Sequence, residues 1–350
     1  MSLLDSNHFS PPHSGALDID DVAFLKYFET YLADIIGTLD NPVRDLAEQV
    51  VLAGGKRIRP LLVFKSGSVL NGVTEDLLKA SAILELVHVA TLVHDDILDN
   101  AKIRRSNATI HTQVGEHNAI LLGDALFSFA LELATDFSST RICRIVSSAT
   151  RRTCSGEIMQ TFSRGNFDIT LSDYFSFIQD KTGELFKASC QSGAFLAGHS
   201  EHVIEMVGDF GLSLGVNYQI FDDIVDTFGS SSAFGKCLGT DFDTGKVTLP
   251  MILLLQKLKP DKKRDILSVL KSGSSIEQSR HDIGELMYHF EIQEECLNFL
   301  RRKFNKTRLL ATNLTDQDTS RNLLNFLTSF DDKLSLLSLE SMPNILALDK

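Results

Sequence analysis

Apolar residues recur at steps of three and four along most of this chain, from about Asp20 onward, and stretches of strict apolar–polar alternation are absent. Steps of three and four place apolar side chains on one side of an α-helix, whereas strands alternate. The pattern therefore predicts an all-α protein built as a helical bundle. We predict long helices over residues 22–37, 42–53, 59–70, 75–98, 118–136, 141–162, 171–196 and 201–227, with shorter helices to about residue 330.

No linker rich in Pro, Gly or Ser divides the chain, so we predict one helical domain over residues 19–330. Residues 1–18 are polar and include two adjacent prolines, which predicts a disordered segment. Residues 331–350 form a C-terminal tail to which the sequence assigns no role. The main irregular stretch covers residues 229–246, whose four glycines and three serines predict a loop.

Two groups of aspartates interrupt otherwise apolar helices. The first lies in LVHDDILDN (residues 92–100) and the second in FDDIVDT (residues 221–227). In the first group, two aspartates four residues apart share one helix face, where like charges destabilise a helix unless cations neutralise them. The candidate metal-binding residues are Asp95, Asp96, Asp99, Asp222, Asp223 and Asp226.

Clustered carboxylates suit hard cations, and Mg²⁺ in particular binds through one or two carboxylates, waters and substrate phosphates. The two groups together therefore predict Mg²⁺ as a cofactor that bridges a diphosphate. One group alone would also fit a solvated helix end, but two groups in apolar helices fit it poorly. An EF-hand is a poor alternative, since neither group has alternating Asp positions followed by Gly and a late Glu.

Basic residues lie close to these groups in the sequence. The segment GGKRIRP (residues 54–60) combines two glycines with Lys56, Arg57 and Arg59, which suits a diphosphate bound without metal. Arg104 and Arg105 follow the first acidic group. Each basic pair alone is more often solvated surface than a binding site.

The bulk properties exclude several classes of function. A formal net charge of −12 argues against a nucleic-acid partner, because such proteins carry a basic face. Five cysteines without a CxxC pair fit reduced thiols. The N-terminal residues lack the basic and apolar regions of a signal peptide, and no apolar run approaches the roughly 20 residues that span a bilayer. We therefore expect a cytoplasmic protein without an integral membrane segment.

Six segments in order resemble the motifs of the trans-type polyprenyl diphosphate synthases, over residues 50–255. They are GGKRIRP, HVATLVHDDILDNAKIRR, GDALFSFA, KTGELF, GVNYQIFDDIVD and GKCLGTDFDTGKVTLP. The resemblance, which is to the long-chain, octaprenyl-like type, implies a single large bundle with a central cavity, Mg²⁺ as cofactor and a homodimer. It also implies that isopentenyl diphosphate is added to an allylic diphosphate after metal-assisted ionisation of the allylic C–O bond.

The resemblance also implies a role for each matching residue. The three metal ligands would be Asp95, Asp99 and Asp222, with the remaining aspartates assisting. Isopentenyl diphosphate would be bound by Lys56, Arg59, His88 and Arg105. The allylic diphosphate would be held by Arg104, Lys181, Thr182, Gln219, Lys236 and Lys246, of which Lys181 and Lys236 also count as catalytic. His88 precedes Asp95 by two helical turns and so shares its face, although a core histidine would have the same spacing.

Residues just before the first acidic group set product length in the resembling family, because a bulky side chain there closes the pocket. Here these residues are Ala90 and Thr91, and both are small. The resemblance therefore favours a product longer than C20, with about C25 to C45 matching a helix that descends roughly 16 Å from Asp95 to Leu84. Phe127, Phe129, Leu84 and Val87 are alternative floors.

Two alternatives stay open at this point. A terpene cyclase would share one acidic group, but GGKRIRP and the second group are not expected in it. A non-catalytic, product-tuning subunit of a heteromeric synthase would usually have lost one or both groups, and both are intact here. The one departure from the resembling motif is RRSNATIH, where Ser106 and Ala108 replace Gly and Pro but both arginines remain.

Overall fold

A computed structural model describes residues 19–67, 72–104, 107–229, 239–272 and 276–339. Within these residues the prediction of an all-α fold is confirmed, with one exception. Ile103–Arg104 (β1) and Asn107–Ala108 (β2) form a two-residue antiparallel pair, with Ile103 opposite Ala108. The predicted disordered segment 1–18 lies outside the described residues.

Six helices of the first half agree with the predicted ranges to within a few residues, whereas Ile110–Val114 was not predicted, and capping residues mark the starts of two of them. Asp20 accepts a hydrogen bond from the Ala23 amide at 2.8 Å, and Thr74 accepts one from the Leu77 amide at 3.2 Å. The helices are Asp21–Ile36 (α1), Val43–Val51 (α2), Ile58–Gly67 (α3), Glu75–Leu98 (α4), Ile110–Val114 (α5), Glu116–Thr135 (α6) and Arg141–Phe162 (α7).

The second half departs from prediction at two places. The predicted helix 171–196 is divided by a π-helical turn, and two of the final helices, predicted to be short, contain 21 and 23 residues. The last helix continues to Leu339, beyond the predicted limit near residue 330. The elements are Leu171–Ile178 (α8), the π-turn Gln179–Gly183, Glu184–Leu196 (α9), Glu201–Phe228 (α10), Thr240–Asp243 (α11), Leu249–Lys257 (α12), Pro260–Ser272 (α13), Ile276–His289 (α14), Ile292–Thr312 (α15) and Gln317–Leu339 (α16).

The described chain divides into two compact units. The first contains the described residues up to Arg152, with Glu184–Leu212 and Leu310–Phe326. The second contains Thr153–Gly183, Ser213–Leu309 and the described residues from Leu327 onward. The single domain over residues 19–330 stays a prediction.

Helix α4 forms the centre of the first unit. It packs against α3, α6 and α9, and most of its side chains are buried. Close approach of α3 and α9 depends on glycine, since a Cβ at Gly193 would lie 2.2 Å from the carbonyl oxygen of Val63. The apolarity of α4 thus follows from burial on nearly every side.

Two helices are long and apolar enough to cross a membrane by length and composition, Glu75–Leu98 and Glu116–Thr135. The expectation from the sequence did not anticipate them, because a few charged and polar residues interrupt each apolar run. Most of the apolar window in α4 and a smaller share of that in α6 is buried, and the two helices pack on each other. Core helices of compact proteins pass the same test of length and hydropathy.

In the second unit, the π-turn Gln179–Gly183 widens the helical course between α8 and α9. Gly156 on α7 accommodates it, because a Cβ there would lie 2.4 Å from the Lys181 amide nitrogen. π-turns inside helices occur frequently at functional sites. The turn carries Lys181 and Thr182, two of the residues implicated from the sequence.

Candidate active site

The first acidic group lies at the C-terminal end of α4, in the first unit. Asp95 and Asp96 belong to the last turn, and Asp99 is the C-cap, whose backbone N–H donates to the Asp95 carbonyl. The last turn contains no basic residue. A helix C-terminus carries partial negative charge. Three carboxylates there repel one another and the helix end, and a nearby cation relieves this repulsion. Asp95 and Asp99 are partly exposed, whereas Asp96 is buried.

Asp96 is paired with Arg104 rather than open to solvent. Both Nε and a terminal nitrogen of Arg104 approach Oδ1 of Asp96 at 2.7 Å. Burial raises the pKa of Asp96, and the Arg104 guanidinium opposes that rise. Arg104, predicted to hold a diphosphate, therefore already neutralises a buried member of the acidic group.

The GGKRIRP segment leads into α3 and gives its three basic side chains different environments. Lys56 is exposed and Arg59 is partly buried, with its Cζ 4.9 Å from the ring centroid of Phe186. Arg57 is 3% exposed and donates to Glu29 and Glu85. The sequence grouped Arg57 with the diphosphate-binding cations, but its guanidinium is turned into the protein.

His88 lies on α4 seven residues before Asp95 and is partly exposed. Its carbonyl oxygen accepts a hydrogen bond from the Thr91 hydroxyl at 2.7 Å. Thr91 is partly exposed, whereas Ala90 is fully buried. The two residues predicted to limit product length thus differ in accessibility.

The second acidic group lies at the C-terminal end of α10, in the second unit, and the last turn of this helix is also free of basic residues. Asp222 is partly exposed, but Asp223 and Asp226 are buried. Tyr174 donates to Oδ2 of Asp223 at 2.6 Å, and Gln219 donates to Oδ1 at 2.9 Å. Burial raises the pKa of Asp223 to about 6, although these two hydrogen bonds favour its carboxylate.

A chain of hydrogen bonds connects the π-turn to this group. The Thr182 hydroxyl donates to Oε1 of Gln219 at 2.8 Å, and Gln219 in turn donates to Asp223. Lys181, its neighbour, pairs with the carboxylate of Glu157 and donates to Oε1 of Gln160 at 3.0 Å. Thr182 and Gln219 therefore contact the acidic group, whereas the protein holds Lys181 by other partners.

Asp226 fixes the start of α11. Its carboxylate accepts from the Thr240 amide at 3.3 Å and from the Asp241 amide at 3.1 Å. Asp241 adds a fourth carboxylate, and the Lys246 ammonium lies 4.0 Å from its Oδ1. Burial, followed by the neighbouring Asp226 and Asp223, raises the pKa of Asp241 well above its usual range.

Among the described residues, no group of three or more His, Cys, Asp or Glu side chains is arranged to hold a metal ion. Mg²⁺ does not require such a cage, because it binds through one or two carboxylates together with phosphates and waters. Asp95, Asp99 and Asp222 are partly exposed oxygen donors at helix ends that lack basic residues. Each of the two helix ends therefore offers oxygen donors of the kind that a divalent hard cation binds.

Comparison with known proteins shows the family. Residues 40–287 match the family model described as Polyprenyl synthetase. The chain is 35% identical over 235 residues to the short chain isoprenyl diphosphate synthase of Methanocaldococcus jannaschii, covering 66% of this chain and 72% of the relative. It is 36% identical over 242 residues to heptaprenyl diphosphate synthase component 2 of Geobacillus stearothermophilus, covering 66% and 76%.

A solved structure is similar over almost its whole length. The polyprenyl synthase from Caulobacter crescentus CB15, crystallised with calcium and isoprenyl diphosphate, matches with a TM-score of 0.79 at 27% identity. The match covers 91% of this chain and 95% of that chain.

The chain belongs to the polyprenyl synthetase family. It is a prenyltransferase. The resemblance drawn from its motifs is thereby confirmed, while the individual residue roles stay predictions. Two of the predicted substrate-binding residues of this polyprenyl synthetase, Arg105 and Lys236, lie outside the described residues.

Sequence reasoning missed two residues of this prenyltransferase that touch the second acidic group. Tyr174 lies in the apolar helix LSDYFSFI, 49 positions before Asp223, and nothing local distinguishes its hydroxyl. Asp241 could have been found, because it stands in the quoted motif GTDFDTGK between two glycines. Its contact with Asp226 is what makes it part of the group.

Proposed function

We propose that this prenyltransferase condenses isopentenyl diphosphate head to tail (1′-4) with an allylic diphosphate, giving a trans-polyprenyl diphosphate. The observation that carries the proposal is the placement of each acidic group at a helix C-terminus without a basic residue in its last turn. Carboxylates at a helix C-terminus are suited to bind cations, and the substrates of this reaction bring diphosphates that bind the same cations.

Mg²⁺ would be held by Asp95, Asp99 and Asp222, and when bound it would stabilise negative charge on a departing diphosphate. Asp96 would keep its charge through Arg104, and Asp223 would keep its charge through Tyr174 and Gln219. Lys56, Arg59 and His88 would bind isopentenyl diphosphate, whose double bond attacks the allylic carbon. A proton is then lost from the new five-carbon unit, and no protein nucleophile is needed.

We propose a product longer than C20. Thr91 is the partly exposed residue before the first acidic group, and its side chain is small. A short chain synthase and a heptaprenyl synthase component are 35% and 36% identical to this chain over the aligned residues, so identity alone does not set the length.

A homodimer fits the apolar surface of α6. Ile120, Leu121 and Leu131 on this helix are 43%, 64% and 40% exposed, which is unusual for large apolar side chains on one helix. A second copy of the chain or a different subunit would bury them, and one relative is named as component 2 of a synthase. Light scattering of the purified chain separates the two: a mass of twice 38.8 kDa supports the homodimer, and a monomer that is inactive alone supports the heteromer.

The decisive experiment is product analysis after incubation with labelled isopentenyl diphosphate, an allylic primer and Mg²⁺. Extended prenyl diphosphates are expected, and the reaction should stop when a chelator removes the cation. A cyclic hydrocarbon would instead indicate a terpene cyclase. No turnover with any primer, under conditions where a known synthase is active, would refute the proposed activity for the chain alone.

A further inference from the structure

The guanidinium of Arg57 makes four hydrogen bonds within the first unit. Its guanidinium donates to both carboxylate oxygens of Glu29, at 2.7 and 3.2 Å, and to Oε1 of Glu85 at 2.7 Å. It also donates to the carbonyl oxygen of Val51 at 2.8 Å. These partners lie on α1, α4 and α2, so one side chain ties the loop to three helices.

The loop that carries Arg57 has an unusual backbone. Arg57 itself has a φ of 47°, and Gly54 and Gly55 have φ values of 79° and 155°. A non-glycine residue in the left-handed region is sterically disfavoured. The four hydrogen bonds of the Arg57 side chain offset this strain, and we therefore attribute the loop conformation largely to them.

In this loop conformation, neighbouring basic side chains differ in whether they are buried or exposed. Arg57 is buried, whereas Lys56 is exposed and Arg59 lies partly exposed over Phe186. One of the anchors, Glu85, lies on α4 three residues before His88, on the same side of that helix. The anchor therefore connects the loop to the helix that carries the third residue of the set.

We infer that Arg57 is a positioning residue for isopentenyl diphosphate: it holds the GGKRIRP loop so that Lys56 and Arg59 present their charges together with His88. This inference rests on the proposed function for the identity of the ligand. Arg57 itself does not touch substrate, because it is buried and its guanidinium is bonded to Glu29, Glu85 and Val51.

A structural role without positioning would have a different signature. Loss of a buried cation lowers stability in either case, because two carboxylates lose their partner. Misplacing Lys56 and Arg59 should weaken one diphosphate substrate only, since the loop lies before α3 and not beside either acidic group in the sequence. The informative quantity is therefore the ratio of the KM for isopentenyl diphosphate to the KM for the allylic diphosphate.

The test compares Arg57→Gln and Arg57→Lys with the unaltered protein. The KM for isopentenyl diphosphate should rise on the order of ten- to a hundredfold in Arg57→Gln, as expected when charged hydrogen bonds or about 1 Å of position are lost. The KM for the allylic diphosphate should stay within about twofold. Arg57→Lys should give an intermediate rise, since it keeps the charge but loses the planar fork.

Arg141→Gln is the control for loss of an arginine ion pair elsewhere in the same unit. It breaks the more exposed pair between Arg141 and Glu201, at 2.6 Å, and should leave both KM values unchanged. The inference would be overturned if Arg57→Lys changed both KM values equally. It would also be overturned if the variant lowered the melting temperature and left both KM values unchanged. If Arg57→Gln does not fold, Arg57→Lys alone decides.

Metal-free binding of isopentenyl diphosphate by calorimetry separates this inference from the proposed function. A protein without turnover whose binding weakens on Arg57→Lys would refute the condensation activity and support the positioning role. A protein with turnover whose binding is unchanged by Arg57→Lys would refute the positioning role and support the activity. Failure of the unaltered protein both to bind and to turn over would refute both.

Discussion

The phenol of Tyr174 donates a 2.6 Å hydrogen bond to Oδ2 of Asp223, and both side chains are buried. Gln219 occupies the other oxygen. A buried carboxyl flanked by Asp222 and Asp226 would tend to take up a proton, and the pKa of Asp223 is raised to about 6. The Tyr174 hydroxyl counteracts this tendency, so it keeps the group negatively charged near neutral pH.

Tyr174→Phe should therefore raise the pKa of Asp223 further, because the hydrogen bond that favours the carboxylate is lost. Protons and Mg²⁺ compete for the acidic group, so the Mg²⁺ concentration for half-maximal activity should rise more at pH 6 than at pH 8. Tyr288→Phe, at a residue that is 65% exposed, is the control and should change neither value. An equal rise at both pH values would show that the hydroxyl does not act through ionisation of Asp223.

The raised pKa of Asp223 also predicts how the metal-free protein responds to pH. The folded pKa is about 6 and the ordinary value is 3.8, so the folded state binds the proton more tightly. This contribution to the free energy of unfolding is fully present below pH 3.8 and is lost as pH rises through about 6.

Asp223→Asn should remove that dependence. Between pH 4 and pH 7, the free energy of unfolding of the Asn variant should gain up to about 3 kcal/mol relative to the unaltered protein, from a shift of about two pKa units. Urea unfolding in the presence of a chelator measures it. A constant difference across this range would mean that Asp223 titrates at its ordinary pKa.

Most helices could be predicted from the period of apolar residues. Both acidic groups could be recognised because like charges inside apolar helices are unfavourable unless a ligand compensates them. Glu75–Leu98 and Arg141–Phe162 match the predicted ranges residue for residue, since their periodic patterns are long. The π-turn escaped prediction because a single widened turn depends on packing against a distant residue, here Gly156, which the local pattern does not show.

What sequence reasoning could not supply is the direction of side chains. Lys56, Arg57 and Arg59 are all basic residues in the sequence, and only the structure shows that Arg57, with a backbone φ of 47° and bonds to buried partners, is turned inward. Tyr174 could not be paired with Asp223, because the contact spans 49 positions. Local patterns report periodicity and charge, whereas contacts between distant helices depend on packing.

Gly123 on α6 makes room for His94, the residue before the first acidic group. A Cβ at Gly123 would lie 2.2 Å from Nε2 of His94, a ring that contacts the Ile120 carbonyl oxygen at 3.1 Å. Gly123→Ala should therefore lower the free energy of unfolding by about 1–3 kcal/mol, as overpacking does. Activity should fall as well, because Asp95 adjoins His94.

The double variant Gly123→Ala/His94→Ala provides the control, because a smaller side chain at His94 relieves the clash. It should be more stable than the sum of the two single changes, with a coupling measurable by urea unfolding. Additive changes would mean that α6 accommodates the methyl group in some other way. Ser128→Ala, on the exposed part of α6, should have little effect.

Thr91 and Ala90 allow a sharper test of product length than substituting both. Ala90 is fully buried, so a Phe there would overpack the core and confuse loss of folding with a shorter product. Thr91 is partly exposed and lies one turn before Asp95, on the same helix face. Thr91→Phe alone should shorten the product by one or more five-carbon units, as measured by chromatography of the dephosphorylated products. Its melting temperature should stay nearly unchanged.

Thr91→Val is the matched control, because it removes the hydroxyl that bonds the His88 carbonyl without adding bulk. An unshortened product from Thr91→Phe, or the same shortening from Thr91→Val, would refute the assignment of this position as the floor of the pocket.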